Sequence, residues 1–400
     1  MPSNIILVLN SGSSSVKFAV FQNQSPDSPL KRLIAGQITG VGTQPSFSAK
    51  DSNGKALKLA NNNALVATSD HAGVLTVLLN WLHGDEMDLK ITAAGHRIVH
   101  GGTDFTKPER VTPATVADLK KLIPLAPHHQ PHNIAAIEAL SKRLPRLEQV
   151  ACFDTAFHAA MPGEAAQLGL PAAYAQRGMR RYGFHGLSYE HIVDALPRVC
   201  AAPLPDRLVI AHLGNGASMC AVKNGIGIAT TMGFSTLDGL PMGTRSGSLD
   251  PGAILHVMRE DGLDLQGLED LLYNRAGLLG ISGVSSDMRV LLDSNEPSAR
   301  AAIDYYCYRI TRELGSLAAT LGGIDALVFT GGIGENATPV RANVVNRSAW
   351  LGLHLDQTAN DGAGPRITSP DSAVPAWIVP ADEESIIARH TLDVLLGSSA

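Results

Sequence analysis

The sequence has few of the features that mark disulfide-rich, membrane-spanning or nucleic-acid-binding proteins. Only four cysteines occur and none forms a C-x-x-C pair, so we expect reduced thiols in a cytosolic protein and neither disulfides nor a zinc site. No run approaches the ~18 apolar residues of a membrane-spanning helix, and we expect neither a membrane anchor nor a signal peptide. The net charge of −5 gives no general attraction to nucleic acid.

Charged residues are also scarce, at 17% of the chain against a usual value of about 25%. With 400 residues, of which 44% are hydrophobic, the chain is long enough for two or three domains with cores of their own. Its 39 glycines cluster in short loops beside apolar runs, whereas a disordered chain would spread them through polar tracts. The composition therefore predicts a well-buried globular enzyme.

Strand and helix patterns alternate along the chain, which predicts an α/β fold. The apolar runs "IILVL" and "VKFAVF" predict a first pair of strands. Thr112 before Pro113 predicts the start of one helix, and Asn133 is predicted as the N-cap of the next. The longest predicted helix runs from Ser298 to about Leu321, with apolar residues at helical spacing and two glycines after it.

The two halves of the chain echo each other at an offset of 202 positions. At this offset "LVLNSGSSSVKFAV" lies over "VIAHLGNGASMCAV", and Gly12 meets Gly214. Both segments have an apolar strand, a turn of small residues and a second apolar strand. The pattern predicts a duplicated unit, and chance similarity between two glycine turns is the competing interpretation.

Three glycine-rich turns follow apolar strands: "NSGSSSVK", "HLGNGAS" and "GGIGEN". Backbone N–H groups in such turns can approach an anion closely and bind phosphate. None of the three matches the G-x-x-x-x-G-K-[ST] motif of P-loop NTPases. One such turn is usually an ordinary loop, but three of them, with Lys17 in the first, favour a site for nucleotide phosphates.

Several polar residues stand beside apolar or small residues, and each of them has a structural interpretation as well as a functional one. Arg97 lies within an apolar strand, where a buried charge needs an anionic partner; a structural ion pair is the simpler interpretation. Arg245 lies in a loop of small residues, His185 lies between Phe184 and a glycine, and Asp154 ends an apolar strand. Together these side chains provide what phosphoryl transfer requires: two cations, a hydrogen-bond donor and an acid.

The segment "PHHQPH" contains His128, His129 and His132 between two prolines. The prolines predict a loop, and the histidine spacing does not fit a zinc-binding helix. We interpret the segment as a polar wall of a ligand cleft.

The segment "ADEES" places Asp382, Glu383 and Glu384 at the start of the last predicted helix. Acidic residues at a helix start commonly complement the helix dipole. Because ATP chemistry requires Mg2+, a carboxylate that binds Mg2+ directly or through water is the functional alternative.

Taken together, these motifs resemble those of the acetate kinase family. Nine of them occur in the family's order and span nearly the whole chain: "NSGSSSVKF", "GHRIVHGG", "CFDTAFH", "RRYGFHGLSYEH", "HLGNGAS", "MGTRSG", "GISGVSSDMR", "FTGGIGEN" and the terminal "DEE". The resemblance implies an actin-like, sugar-kinase-like α/β fold with two duplicated, ribonuclease-H-like domains and a nucleotide cleft between them. It also implies a cytoplasmic homodimer. We assign residues 1–154 with 385–400 to an N-terminal domain on the acyl side, and 155–384 to a second domain on the nucleotide side.

The resemblance also implies residue roles and substrates. The reaction is the reversible, ATP-dependent phosphorylation of acetate to acetyl phosphate, with ADP as the other product and Mg2+, or alternatively Mn2+, as the cofactor. The implied catalytic residues are Asp154, His185 and Arg245. The implied acyl-substrate residues are Arg97, Val99, His129 and Phe184. The implied metal ligands are Asn10 and Glu383. The implied nucleotide-binding residues are Ser13, Ser15, Lys17, His212, Leu213, Gly214, Asn215, Gly216, Asp287, Met288, Arg289, Gly332, Ile333, Gly334, Glu335 and Asn336.

Two positions depart from the family's usual acyl pocket. His128 stands where a leucine is usual, and Thr236 stands where a proline is usual, whereas Val99 and Phe184 match the apolar lining of the acetate enzymes. We expect acetate as the first substrate and propionate or another short-chain acid as the second, because one methylene is worth only about 1–3 kcal/mol of discrimination.

Physical chemistry constrains the roles. A carboxylic acid acceptor has a pKa near ~4 and is already anionic at pH 7, so Asp154 is expected to orient Arg97 and not to remove a proton. Transfer is expected to be direct and in line, without a phospho-enzyme. An actin-like nucleotide-binding module without acyl chemistry is an alternative, but it has no need of Arg97 and Arg245. A sugar kinase, the other alternative, would need a base for its hydroxyl acceptor.

Overall fold

The structure, a computed structural model, describes residues 4–12, 14–24, 28–59, 62–66, 68, 70–84, 87–362 and 364–397. It divides into two compact units: Met1–Ala156 with Asp382–Ala400, and Phe157–Ala381. The boundaries expected from the sequence, after residues 154 and 384, lie close to these divisions. Which substrate each unit binds stays a prediction.

The first unit is built on a mixed sheet whose strand order is β5-β4-β3-β2-β1-β6-β8-β7. The strands β1, β2 and β3 are antiparallel neighbours, whereas β1, β6 and β8 are parallel. The bounds are β1 Asn4–Ser11, β2 Ser15–Asn23, β3 Lys31–Thr39, β4 Ser46–Asp51, β5 Ala56–Leu57, β6 Ala93–Ile98, β7 Glu109–Arg110 and β8 Glu148–Phe153.

The second unit contains a five-stranded sheet of order β11-β10-β9-β12-β13. The bounds are β9 Arg207–Leu213, β10 Ala217–Lys223, β11 Ile226–Thr230, β12 Ala326–Thr330 and β13 Ala376–Ile378. Its antiparallel and parallel pairs repeat those of β3-β2-β1-β6-β8 in the first unit. The predicted offset of 202 carries β1 onto residues 206–213, which is the position of β9. The duplication predicted from the sequence is therefore confirmed.

Helices connect and cover the strands. Their bounds are α1 Asn62–Val66, α2 His71–His83, α3 Pro113–Lys121, α4 Gln130–Arg143, α5 Gly163–Ala166, α6 Ala172–Ala175, α7 Gly186–Cys200, α8 Pro251–Glu260, α9 Leu265–Asn274, α10 Gly277–Ser282, α11 Met288–Leu292, α12 Pro297–Leu321, α13 Gly331–Asn336, α14 Thr338–Arg347, α15 Gln357–Asp361 and α16 Glu383–Leu396. Short 3₁₀ turns occupy Ile123–Leu125, Ala156–His158 and Ala349–Leu351. Within the described ranges, no helix is both long and apolar enough to cross a membrane.

Several predicted helix ends are confirmed, because their caps satisfy backbone groups that the helix leaves unpaired. The Thr112 hydroxyl accepts a hydrogen bond from the Thr115 N–H, and Pro113 begins α3. The longest helix, α12, ends at Gly322, whose φ of 72° lies in the left-handed region that favours glycine. Its predicted core face is buried.

The predicted start of α4 is wrong. The helix begins at Gln130, with His129 at the N-cap position, so Asn133 lies inside the first turns. Pro131 is compatible with this start because the first helical turn needs no donor from its N–H. The segment "PHHQPH", predicted as a loop, therefore forms a turn that runs directly into a helix.

The prediction for the third glycine motif is also wrong in part. "GGIGEN" was expected to be a loop, but Gly331–Asn336 forms the short helix α13 directly after β12. The Glu335 side chain bends back and accepts hydrogen bonds from the Gly331 N–H (2.9 Å) and the Ala381 N–H (3.0 Å). These bonds satisfy backbone donors that an open glycine loop would offer to a ligand.

Buried apolar residues form a separate core in each unit. In the first unit, the face of the sheet formed by Leu7, Leu9 and Phe18 packs with Leu78 and Leu82 of α2. In the second, residues of α7 pack against β9, β10 and β12. None of the four cysteines, all of which the structure describes, is disulfide-bonded, and Cys200 is the one that is not buried.

Candidate active site residues

Arg97 and Asp154 form a bidentate ion pair in the first unit. Arg97 lies on β6 and Asp154 follows β8, which is the parallel neighbour of β6. The Arg97 Nε lies 3.0 and 3.1 Å from the two carboxylate oxygens, and Nη2 lies 2.5 Å from Oδ2. Asp154 is 1% exposed, whereas 20% of the Arg97 side chain is exposed. The pair is therefore anchored on the carboxylate side and open on the guanidinium side.

Two further residues surround the same guanidinium. The Arg97 Nη1 donates to Asn10 Oδ1 on β1 (3.1 Å), and the Glu383 carboxylate at the start of α16 lies 3.9 Å from Nε. Burial by itself lowers the pKa of Arg97, but the charges of Asp154 and Glu383 outweigh burial and raise it above its usual value. Among the described residues, the hydrogen bonds use three of the five N–H donors of Arg97. Two donors are left for a ligand.

The start of α16 carries more negative charge than nearby cations balance. Burial raises the pKa of Glu383 to about 7. The carboxylates of Asp154 and Glu384 act in the same direction. The positive charges of Arg97 and Lys17 oppose the shift without cancelling it. Three carboxylates and two cations meet here, so a bound cation would be stabilised.

The oxygens at this place fit a hard divalent cation. Asn10 has an amide oxygen, which also accepts the hydrogen bond from Arg97, and Glu383 has a carboxylate; both are ligand types that Mg2+ prefers. In the part of the chain that the structure describes, no group of three or more His, Cys, Asp or Glu side chains could hold a metal.

The first glycine motif forms a tight turn between β1 and β2. The Gly12 N–H donates to the Ser15 carbonyl (2.8 Å), and His71 at the start of α2 donates from Nε2 to the Gly12 carbonyl (2.7 Å). Lys17 is exposed and stands opposite Asn10 in the strand register. Ser13, predicted to bind nucleotide, lies outside the described residues.

Asn133 holds this turn and the segment after β6 together, a role that the sequence analysis missed. Its Nδ2 donates to the Ser11 carbonyl (2.7 Å), and its Oδ1 accepts from the Val99 N–H (3.0 Å). Gln130, one turn earlier, exchanges hydrogen bonds with both backbone groups of His100. The signal available in the sequence was two amides at helical spacing on an otherwise apolar face. Val99, a predicted acyl contact, is thereby fixed, and it is 3% exposed.

In the second unit, the His185 ring is fixed by a hydrogen bond at Nδ1 and by stacking on one face. It occupies the N-cap position of α7 with φ 59°, a conformation that non-glycine residues rarely adopt. Its Nδ1 lies 2.8 Å from the Ser218 Oγ, and its ring stacks on His212 with centroids 4.3 Å apart. The preceding Phe184, a predicted acyl contact, also belongs to this unit; it is 1% exposed, and its carbonyl accepts a bond from His158.

Arg245 and His185 converge above Gly216. A Cβ atom at Gly216 would lie 3.1 Å from the Arg245 Nη2 and 3.3 Å from the His185 Nε2. Arg245 also donates from Nη1 to the Thr236 carbonyl (2.8 Å). The structure therefore brings together a predicted nucleotide residue and two predicted catalytic residues. Thr236 contributes its backbone to this contact, so its departure from proline changes a residue next to the arginine without removing the acceptor.

The two ends of the loop that carries Arg245 are held together by a buried arginine of α12. Arg309, 6% exposed, donates to the carbonyls of Gly239 (3.2 Å) and Ser248 (3.3 Å). Ser248 also donates from its backbone N–H to the Gly239 carbonyl (2.9 Å). The loop is thus fixed at both ends, which restricts where the Arg245 guanidinium can lie.

The remaining predicted nucleotide residues occupy three places in the second unit. The turn from Leu213 to Gly216 joins β9 to β10 and is closed by a bond from the Gly214 N–H to the Gly216 carbonyl (3.0 Å). Asp287 caps α11, which begins at Met288, and its carboxylate pairs with the exposed Arg289. On α13, the carboxylate of Glu335 is occupied by backbone donors, while the exposed residues are Gly332 and Asn336.

Comparisons with known proteins show the family of the chain. The family model of the acetokinase family matches residues 5–389. The chain is 50% identical over 392 residues to the acetate kinase of Rhodopseudomonas palustris (strain TIE-1), covering 97% of this chain and 98% of that protein. It is 45% identical to the acetate kinase of Nitrobacter hamburgensis, with 99% and 97% covered.

Two solved structures superpose on nearly the whole chain. One is the acetate kinase of Porphyromonas gingivalis, with a TM-score of 0.86, 36% identity and coverage of 98% of this chain and 100% of that chain. The other is a propionate kinase from Francisella tularensis, with a TM-score of 0.88, 34% identity and coverage of 98% and 99%. The two duplicated α/β units are those of the actin-like fold. The chain therefore belongs to the acetokinase family and is a phosphotransferase that uses a carboxyl group as its acceptor.

Proposed function

We propose that this protein transfers the γ-phosphoryl group of ATP to acetate, giving acetyl phosphate and ADP in a reversible reaction. The observation that carries the proposal is the Arg97–Asp154 pair. Arg97 is anchored by a bidentate bond to a buried carboxylate, and the bonds that it makes to described residues leave two of its N–H donors for a ligand. A planar guanidinium presented in this way suits a small carboxylate.

Asp154 acts through Arg97 in this proposal. The acceptor is an anion at pH 7 because acetic acid has a pKa near ~4, so the reaction needs no strong base. Both oxygens of Asp154 accept N–H groups from Arg97, and this supports a role in fixing the guanidinium. The transfer we propose is direct and in line, without a phospho-enzyme.

His185 and Arg245 bind the transferring phosphoryl group. The main obstacle is the approach of one anion to another, and donors fixed in advance lower that barrier as charge redistributes in the transition state. The convergence of the Arg245 Nη2 and the His185 Nε2 above Gly216 supports this assignment. His212 keeps the His185 ring in its plane.

Asn10 and Glu383 would hold Mg2+, with Mn2+ as an alternative. When bound, the metal supplies positive charge that offsets the charge of the ATP phosphates. The surplus of carboxylates around Glu383 supports this site.

Nucleotide contacts are proposed for Ser13, Ser15, Lys17, His212, Leu213, Gly214, Asn215, Gly216, Asp287, Met288, Arg289, Gly332, Ile333, Gly334, Glu335 and Asn336.

Val99, His129 and Phe184 are proposed to line the acyl pocket. Val99 and Phe184 are buried apolar side chains, which suits a short acyl chain. Propionate is the second candidate, because a propionate kinase is among the structures that superpose on the chain.

We further propose that the protein is a cytoplasmic homodimer, on the grounds of family resemblance and of cysteines that form no disulfide within the described residues. Sedimentation velocity tests the oligomeric state.

The hydroxamate assay tests the proposed reaction. Purified protein is incubated with Mg-ATP, hydroxylamine and acetate, propionate or butyrate, and acyl phosphate is trapped as hydroxamate. We expect the highest kcat/KM with acetate. Folded protein that forms no hydroxamate from any of the three acids would contradict the proposal. Preference for propionate would replace acetate as the substrate and leave the reaction type intact.

A further inference from the structure

An ion pair in the second unit joins the segment that leads to His185 to the loop that carries Arg245. Arg181 and His185 belong to the segment "RRYGFHG", and Asp238 and Arg245 belong to the segment "LDGLPMGTR". The Arg181 Nη1 lies 3.2 Å from the Asp238 Oδ2, and the two side chains are 25% and 34% exposed. The pair therefore connects two segments that each carry a residue with a predicted catalytic role.

The segment that leads to His185 lies along the residues that follow β11. The Tyr182 N–H donates to the Gly233 carbonyl (3.0 Å), and Arg181 donates from Nη1 to the Thr231 carbonyl (3.2 Å). The same guanidinium nitrogen therefore reaches both the backbone after β11 and the carboxylate of the ion pair.

On its other side, Asp238 binds both ends of the loop that carries Arg245. Its Oδ1 accepts hydrogen bonds from the Gly239 N–H (2.8 Å) and from the Ser248 Oγ (2.5 Å). Arg309 of α12 donates to the carbonyls of the same two residues. The carboxylate holds the donors at the loop ends and the guanidinium holds the acceptors, so the loop is fixed relative to Asp238.

The Asp238 carboxylate is also packed closely against the backbone after β11. A Cβ atom at Gly233 would clash with the Asp238 Oδ2, so the glycine lets the carboxylate approach the residue that accepts from Tyr182. Ion pairs with this exposure add little to stability, because water and salt screen them. What these contacts fix is the distance between the two segments.

That distance matters for phosphoryl transfer because His185 and Arg245 lie on different segments. Donors to a transferring group are effective when their positions are set before the reaction. A displacement of about 1 Å by a distant change can lower the rate roughly a hundredfold. The alignment of the two donors therefore depends on the contacts that join their segments.

We propose that Arg181 and Asp238 are positioning residues that set the separation of His185 and Arg245 and so align both donors with the phosphoryl group. The assignment to phosphoryl transfer rests on the proposed function, whereas the coupling of the two segments rests on the contacts alone. Loosening the pair affects the transfer step more than the binding of acetate, which Arg97 in the first unit is proposed to bind.

The kinetic expectation is a fall in kcat with nearly constant KM for ATP and acetate. Asp238→Asn keeps an oxygen for the Gly239 N–H and the Ser248 hydroxyl and replaces the oxygen that faces Arg181 by an NH2 group. Arg181→Met removes the guanidinium. We expect each variant to lower kcat about tenfold, because a small displacement of one donor is enough. The double variant should also fall about tenfold, whereas independent effects would multiply to about a hundredfold.

The Arg207–Asp325 pair provides the matched control. It lies in the same unit, with side chains 39% and 34% exposed, and it joins the first residue of β9 to the residue before β12. Arg207→Met and Asp325→Asn should leave kcat unchanged even where they lower the melting temperature. Rates are compared with whichever acid gives the highest kcat/KM. Losses that multiply in the Arg181 and Asp238 double variant, or that are no larger than in the controls, overturn the inference.

The decisive experiment reads each substitution in the other segment, by NMR of protein labelled with ¹⁵N-histidine and ¹⁵N-arginine and without substrate. The His185 ring signal, identified by its loss in His185→Asn, is compared between the unaltered protein and Asp238→Asn. The Arg245 Nε signal, identified by its loss in Arg245→Lys, is compared between the unaltered protein and Arg181→Met. We expect both signals to shift, and neither to shift in Asp325→Asn.

A signal that stays unchanged in either comparison, or that shifts as far in the control, overturns the inference. If no acid is phosphorylated, the proposed function fails, while these spectra still decide whether the two segments are coupled.

Discussion

Gly216 is the residue whose lack of a side chain most directly shapes the candidate site. A Cβ at this position would stand between the Arg245 Nη2 and the His185 Nε2. A side chain at Gly216 would therefore displace one or both of these groups.

We predict that Gly216→Ala lowers kcat by about a hundredfold, which is the usual effect of losing one aligned donor. The unfolding midpoint should change little, since the φ of Gly216 does not lie in the left-handed range. Gly163→Ala is the control, because a Cβ there meets nothing within 4 Å. Steady-state kinetics and thermal denaturation of both variants check the prediction, and full activity of Gly216→Ala would show that the positions of Arg245 and His185 do not matter.

We predict that Arg97→Lys raises the KM for acetate by roughly ten- to a hundredfold, with a smaller change in the KM for ATP. Lysine keeps the charge but loses the planar fork that holds Asp154 and a carboxylate at once. Arg207→Lys is the control, since Arg207, the first residue of β9, makes a similar bidentate pair with Asp325. Equal KM values for acetate in the two variants would contradict the assignment of Arg97.

At the scale of elements, the placement of Arg245 depends on a loop whose two ends are held by a side chain of α12. Arg309 donates to the carbonyls of Gly239 and Ser248 at the two ends of the loop. Both acceptors are neutral carbonyls, so these bonds give the buried guanidinium no anionic partner, and burying a charge in this way is costly. We infer that its main effect is to hold the loop.

We predict that Arg309→Met lowers kcat at least tenfold and lowers the melting temperature by several degrees. The Ser248 carbonyl loses its bond from Arg309, and the Gly239 carbonyl keeps its bond from the Ser248 N–H, so the loss is about 1–3 kcal/mol in all. Arg300→Met on the same helix is the control, because Arg300 is exposed and, within the described residues, forms its salt bridge with Asp304 one turn away. A normal kcat with a lowered melting temperature would mean that Arg309 stabilises the unit without positioning Arg245.

The strands, most helices and the duplication could be predicted from the sequence, because periodicity and caps are local signals. The start of α4 could not, since Asn133 resembles an N-cap but its amide bridges Ser11 and Val99, which are distant in sequence. Ser218 was missed for the same reason: a serine in an apolar strand gives no sign of its partners. Contacts between distant segments are set by tertiary packing, and short motifs do not encode them.

At the scale of the whole molecule, three buried histidines are kept neutral by the fold. Burial lowers the pKa of His96, His100 and His158 to about 4, against about 6.5 in the unfolded chain. The unfolded state therefore binds protons first as the pH falls. Their contribution is fully present above pH ~6.5 and is lost between that pH and ~4.

We predict that the denaturant midpoint changes little between pH 7.5 and about 6.5 and falls as the pH is lowered from there to 5. Each histidine contributes up to about 3 kcal/mol across the full window, since one pKa unit corresponds to about 1.4 kcal/mol. Chemical denaturation at half-unit steps of pH measures the slope, and His158→Gln should reduce it in the second unit. A midpoint that stays constant from pH 7.5 to 5 would contradict the neutral state of these histidines.

The central claim is that the acceptor of the phosphoryl group is the carboxylate of acetate. It is tested most directly by ³¹P NMR of a reaction containing the protein, Mg-ATP and acetate. We predict that acetyl phosphate and ADP form in equal amounts, and that Arg97→Lys slows both at subsaturating acetate. Formation of ADP with inorganic phosphate alone, or of a phosphoester from an added sugar when acetate gives no product, would contradict the account.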